Sequence, residues 1–174
     1  MTKRLRTALG LAAGLAVLTM ASVGQAATTV NVSLWDSGPA AQDMLNMMAE
    51  MQPDMMMGMA MPAAQDMSMA TLGVTADITE VKAGEVTFQV TNDSTEIIHE
   101  MIVAPVGASG GLPYSEADFR VDEEAIGHLG EVSELDPGAT GALTVTLTPG
   151  TYVLFCNLPG HYMMGMWTTI TVTE

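Results

Sequence analysis

The sequence predicts an all-β fold, an antiparallel sandwich of seven or eight short strands. Two observations point there. From Thr71 onward the chain is a series of short runs rich in Val, Ile and Thr, several alternating apolar and polar residues at the period of two that a half-buried strand requires. The runs are separated by turn formers such as Asn92-Asp93-Ser94, Asp136-Pro137-Gly138 and Pro149-Gly150, which supply the φ values and local hydrogen bonds a reversal needs.

Thr28 to Trp35 alternates polar and apolar residues and reads as the first strand, closed by Asp36-Ser37-Gly38-Pro39. The composition then shifts. Residues 40–70 hold eleven of the seventeen methionines, with Met-x-Met at 57–59, 59–61 and 67–69. Met44, Met47, Met48 and Met51 fall at i, i+3, i+4 and i+7, so Ala41 to Met51 is expected as a short helix, stopped by Pro53. The rest of this Met-rich stretch reads as a flexible insertion after the first strand. Strands follow at Leu72 to Thr79 and Glu85 to Thr91, joined by a turn at Lys82-Ala83-Gly84. Ile97 to Ala104 is the next strand and carries His99. Val106 to Leu112 is Gly-rich and irregular, and Tyr114 to Ile126 is acidic with one helical turn. Thr140 to Thr148, Thr151 to Phe155 and Met166 to Thr173 complete the set.

Residues 1–26 have the layout of a secretory signal peptide. Lys3, Arg4 and Arg6 form a positive end, Leu9 to Met20 an apolar core, and Gly24-Gln25-Ala26 a small-residue cleavage site. An apolar run of about a dozen residues is short for a membrane span; a retained anchor is the alternative. Residues 27–174 are expected as one domain, large enough for a real core and exported to the periplasm or the extracellular space. Three of the five basic residues precede residue 27, whereas all twenty acidic ones follow it. So acidic a domain argues against nucleic acid or an anionic membrane as partner, and suits a basic protein partner or a saline habitat.

One cysteine cannot form an intramolecular disulfide, and an exported thiol is open to oxidation unless something occupies it. Cys156 opens the stretch CNLPGHYMMGM, with His161 five residues on and Met166 five beyond that. Thiolate, imidazole and thioether form a soft donor set that suits copper in both its oxidation states. A second imidazole is needed, and His99 in EIIHEMIVAP is the candidate. A buried, inert cysteine is the alternative, against which Pro159-Gly160-His161 weighs. His128, in an acidic loop, reads as a solvated surface residue.

Cys156, His161 and Met166, framed by Pro159-Gly160 and followed by WTTITVT, resemble the C-terminal ligand loop of the cupredoxins. These are the small type 1 (blue) copper proteins, among them plastocyanin, azurin, rusticyanin and sulfocyanin, and the spacing is nearest to the last two. The resemblance runs from about Thr71 to Glu174. It implies a Greek-key sandwich holding one type 1 copper, with His99, Cys156 and His161 as equatorial ligands and Met166 as a long axial one; Met163 and Met164 are rivals for the axial place. It also implies a monomeric electron carrier and not an enzyme, serving redox partners such as a basic c-type cytochrome or a terminal oxidase. Glu100 stands where several cupredoxins have an Asn that pins the cysteine loop, so that contact is not carried over; a red-copper variant would use Glu100 itself as ligand. The ligand histidine His161 is expected near the surface, in a neutral patch with Leu158, Pro159, Tyr162 and Met163. Eight carboxylates lie between Glu116 and Asp136 and none between Cys156 and Thr173.

The Met-rich segment supports a second reading, a copper chaperone, storage or resistance protein on the same fold. Thioethers select Cu(I), so residues 40–70 would bind additional Cu(I). The alternative is that these methionines fill irregular core space or cover an apolar patch.

Overall fold

The computed structural model describes residues 27–50, 70–107 and 111–174. Residues 1–26, read from the sequence as a signal peptide, and residues 51–69 of the Met-rich segment lie outside them. Among the described residues no helix is long and apolar enough to cross a membrane. The elements begin with β1 (Thr28–Asp36), α1 (Pro39–Glu50), β2 (Leu72–Ala76), β3 (Glu80–Lys82), β4 (Gly84–Asn92) and β5 (His99–Pro105). They continue with β6 (Tyr114–Ser115), β7 (Arg120–Val121), α2 (Glu123–Ile126), β8 (Gly130–Leu135), β9 (Thr140–Leu147), β10 (Gly150–Phe155) and β11 (Trp167–Thr173).

Two sheets carry the fold, ordered β2-β1-β4-β9 and β3-β11-β10-β5-β8, with β6 and β7 paired apart. Alternation explains the layering, because successive side chains on a strand leave on opposite faces. Val30, Val32 and Leu34 of β1 and Val86, Phe88 and Val90 of β4 are buried. They share one core with Met101, Val103, Leu154, Ile170 and Val172 of the other sheet. The sandwich expected from the sequence is therefore present.

Two pairings depart from the expected antiparallel scheme: β1 runs parallel to β4, and β3 parallel to β11. The run read as one strand from Leu72 to Thr79 breaks after Ala76. Glu80–Lys82 then joins the second sheet beside β11, and the chain returns to the first sheet at Gly84, whose φ of 137° lies in the region that favours glycine. The strand β8 was not legible, since within GEVSEL only Val132 is buried.

β5 and β10 are buried on both faces, which explains their continuous apolar runs. One face meets the main core. The other meets a second cluster of Ile102, Ala104, Val121, Val153, Phe155 and Tyr162, which includes β7 and the ligand stretch. The helical turn expected between Tyr114 and Ile126 is α2. Asp122 caps its start by accepting from the Ala125 amide at 3.0 Å, and Gly127, at φ 61°, ends it. Helix α1 begins at Pro39, as proline at a first helical position favours. It buries Ala41 and packs Leu45 on the core, while Met44 and Met47 face solvent.

The sheets approach closely where β9 meets β8. A Cβ built on Gly141 would stand 2.4 Å from Val132 Cγ1, and a β-branched side chain has few rotamers with which to yield. Gly141→Ala should therefore destabilise the domain by about 1–3 kcal/mol, the usual cost of overpacking. A thermal melt checks this, and Val132→Ala in the same chain should recover part of the loss.

Candidate metal centre

The three strands at the centre of the second sheet set the site. Phe155, the last residue of β10, pairs with Ile102 of β5 on one side and Trp167 of β11 on the other. Cys156 is thus the first residue beyond β10, Met166 the last before β11, and His99 the first residue of β5. The Cys156 amide donates to the Met166 carbonyl at 3.1 Å, closing the intervening segment at its neck.

That segment is held throughout by its own hydrogen bonds. The amides of His161, Met164, Gly165 and Met166 donate to the carbonyls of Leu158, Gly160, Tyr162 and His161, each at 3.0 Å. Gly160, at φ 83°, allows the reversal, and its amide donates to Phe119 O at 2.9 Å. Tyr162 packs edge-on against Phe155, ring centroids 5.7 Å apart.

His99 is brought in by a second locked turn. Asn92, fully buried at the end of β4, donates to the carbonyls of Ile97 and Leu135 and accepts the Ser94 amide. The Ser94 hydroxyl accepts the amides of Glu96 and Ile97. Between His99 and Met101 the register against β8 shifts by one residue, the extra residue lying on β8.

The structure brings together His99, Cys156 and His161, which sequence reasoning had singled out. Their ligand atoms all lie within 4.8 Å of one another. His99 Nδ1 is 3.2 Å from His161 Nδ1, and Cys156 Sγ is 3.3 Å from the same nitrogen. Met166 is fully buried and belongs to the same core cluster as Cys156. Met163 Sδ accepts a weak hydrogen bond from the Tyr114 hydroxyl at 3.6 Å, and Met164 packs half-buried against the main core. His128 is exposed, beyond α2.

Sequence reasoning missed several features of the site. Asp36, read as a turn residue, places Oδ2 3.1 Å from His99 Nε2. Glu100 Oε1 accepts the Asn157 amide at 3.1 Å, so a carboxylate pins the cysteine loop where an amide side chain was looked for. Asn157 in turn bonds Val121 and Glu123. His161 is only 4% exposed. Helix α1 covers its turn, with Met48 Cε 3.4 Å and Leu45 Cδ2 3.7 Å from the position a Cβ of Gly160 would take.

Burial sets the protonation of the cluster. It pushes the Cys156 thiol up to about 12 and, helped by the neighbouring His99, takes His161 down to about 3. Burial also lowers His99, against the pull of Asp36. At neutral pH the metal-free cluster is a thiol with two neutral imidazoles. Burial and the charge of Glu123 raise Glu100 to about 7. For Asp36, burial works against the charge, but hydrogen bonds from Ser94, the Gly38 amide and His99 outweigh it and hold the carboxyl below its ordinary value.

Two neutral imidazoles, a thiol and a nearby thioether, all closed off from water, form a soft-metal site at the end of a β-sandwich. Such a set suits copper. Residues 63–173 match the copper-binding proteins of the plastocyanin/azurin family, and the chain belongs to that family. It is 50% identical over 40 residues to auracyanin-B of Chloroflexus aurantiacus, a stretch covering 22% of this chain and 17% of that protein. Among solved structures, dithionite-reduced auracyanin from Roseiflexus castenholzii is 26% identical, covering 57% of this chain and 88% of that one at a TM-score of 0.44. Rusticyanin from Thiobacillus ferrooxidans is 15% identical, covering 85% and 79% at a TM-score of 0.49. The family and the His-Cys-His cluster fit one type 1 copper per chain.

Loading this site requires one deprotonation, that of Cys156, because both imidazoles are already neutral. Adding Cu(II) to the metal-free protein between pH 7 and 8 should release about one proton per ion. The apparent affinity should rise with pH, since the departing proton is mass-actioned away. Proton release in weak buffer checks the count; two protons per ion would mean that a histidine is charged in the metal-free cluster.

Proposed function

We propose that this chain is an exported type 1 blue copper protein that carries single electrons between redox partners. His99, Cys156 and His161 are its equatorial ligands and Met166 its axial one. The observation that carries this reading is the convergence of three buried donors from β5 and the β10–β11 connection. A bound copper supplies the Cu(I)/Cu(II) couple. The chain supplies the rest: burial excludes water, and the hydrogen-bonded segment from Cys156 to Met166 keeps the donors from moving when the charge changes. Little reorganisation then opposes electron transfer.

Met166 is favoured for the axial place by its burial beside Cys156 and its backbone bonds to both Cys156 and His161. The Met163 thioether is engaged by Tyr114. Glu100 turns to the Asn157 amide, which weighs against its serving as a ligand. Reconstitution with copper should give an intense blue band at one ion per chain. Cys156→Ser should abolish the band while leaving the sandwich folded by circular dichroism; a variant that keeps the full band rejects the site. Met166→Leu should keep the band and raise the reduction potential, because a donor that favours Cu(II) is lost. That shift appearing for Met164→Leu instead would move the axial place.

Export is supported by the layout of residues 1–26, and a basic partner such as a c-type cytochrome by the charge balance. Apart from Lys82 and Arg120, every charged residue beyond residue 26 is acidic. Such a field steers a cationic partner, and salt screens it over about 8 Å at physiological ionic strength. Stopped-flow oxidation by a basic cytochrome should therefore slow as salt is raised. A rate that is flat or rises would reject steering and leave saline adaptation as the meaning of the charge.

A further inference from the structure

With His99 offering Nδ1 to the cluster, its other ring nitrogen meets a carboxylate. Nε2 lies 3.1 Å from Asp36 Oδ2, and neither side chain reaches solvent, at 0% and 1% exposed. Asp36 ends β1 in the first sheet, whereas His99 begins β5 in the second, so the contact joins the two layers at the site. The carboxylate is itself fixed. Its Oδ1 accepts the Gly38 amide at 2.6 Å.

We propose that Asp36 is a positioning residue that holds His99 as the Nε2–H tautomer, aims the Nδ1 lone pair at Cys156 and His161, and biases bound copper toward Cu(II). This rests on the copper reading above. A carboxylate hydrogen-bonded to a ligand imidazole fixes its tautomer and raises its basicity. A more basic donor with a negative charge behind it favours the more positive of two metal ions, so Cu(II) gains more than Cu(I). Glu100, the neighbouring carboxylate, cannot substitute, because it is turned to Asn157.

Asp36→Asn keeps the shape and an oxygen acceptor while removing the charge. Cu(II) affinity should fall about 10- to 100-fold and Cu(I) affinity by a smaller factor, so the reduction potential should rise in step with the ratio of the two. A purely structural role would weaken both ions alike. Equal losses, or none, overturn the proposal. Should the variant fail to fold, long-range 1H–15N NMR of the metal-free wild type decides: a proton on His99 Nε2 supports the assignment, and one on Nδ1 overturns it. Absence of the blue band from copper-loaded wild type would instead remove the copper reading itself, whereas a band with an unmoved affinity ratio removes only the role of Asp36.

Discussion

One backbone hydrogen bond, from the Cys156 amide to the Met166 carbonyl at 3.1 Å, holds the arrangement together. It extends the β10–β11 ladder one step past Phe155 and Trp167, so the thiol and the thioether are fixed relative to a sheet and not to a free loop. Everything between them is then a short closed path that Gly160 can reverse and internal amide bonds can stiffen. His161 inherits its position from that closure. Ligand geometry becomes a property of strand register, which is costly to change because slipping it would turn every buried side chain of β10 to the wrong face.

Placing six polar side chains in the interior near this closure is tolerated only because each has a partner. Asn92, Ser94, His99, Glu100, Asn157 and His161 are all buried, and among the described residues no buried side-chain nitrogen or oxygen lacks a hydrogen-bond partner. An orphaned group of this kind costs about 1–3 kcal/mol. The network therefore specifies one arrangement: Asn92 sets the turn into His99, and Asn157 ties the residue after Cys156 to β7 and α2. The small outer layer of β6, β7 and α2 matters for this reason, as it provides the partners for Asn157 and the second face against which β5 and β10 are buried.

Most of the strands and the reversal from Cys156 to Met166 were legible because their signals are local. Alternation marks β1, β4 and β9, and the spacing of Cys156, His161 and Met166 places them in one reversal. What escaped depends on contacts between distant residues. Asp36 and His99 are separated by 63 positions, and nothing near Asp36 distinguishes it from an ordinary turn residue. The parallel pairings of β1 with β4 and of β3 with β11 follow from a break after Ala76 that carries no proline or glycine. β8 has a single buried apolar side chain, Val132, too few to show a period. Glu100 lacks the amide that the family resemblance leads one to expect, yet its carboxylate accepts the Asn157 amide.

Helix α1 gives the molecule a division of labour. Its Leu45 and Met48 lie over the turn that carries His161, while Met44 and Met47 on the same helix meet solvent. An approaching protein at this end thus touches a helix that contributes none of the clustered donors and belongs to the connection between β1 and β2. Substitutions on its outer side would alter which surfaces fit there without disturbing Cys156, His161 or the residues that fix them. The outer face of α1 and the donor cluster therefore sit on separate pieces of chain, so that a change in one leaves the other in place.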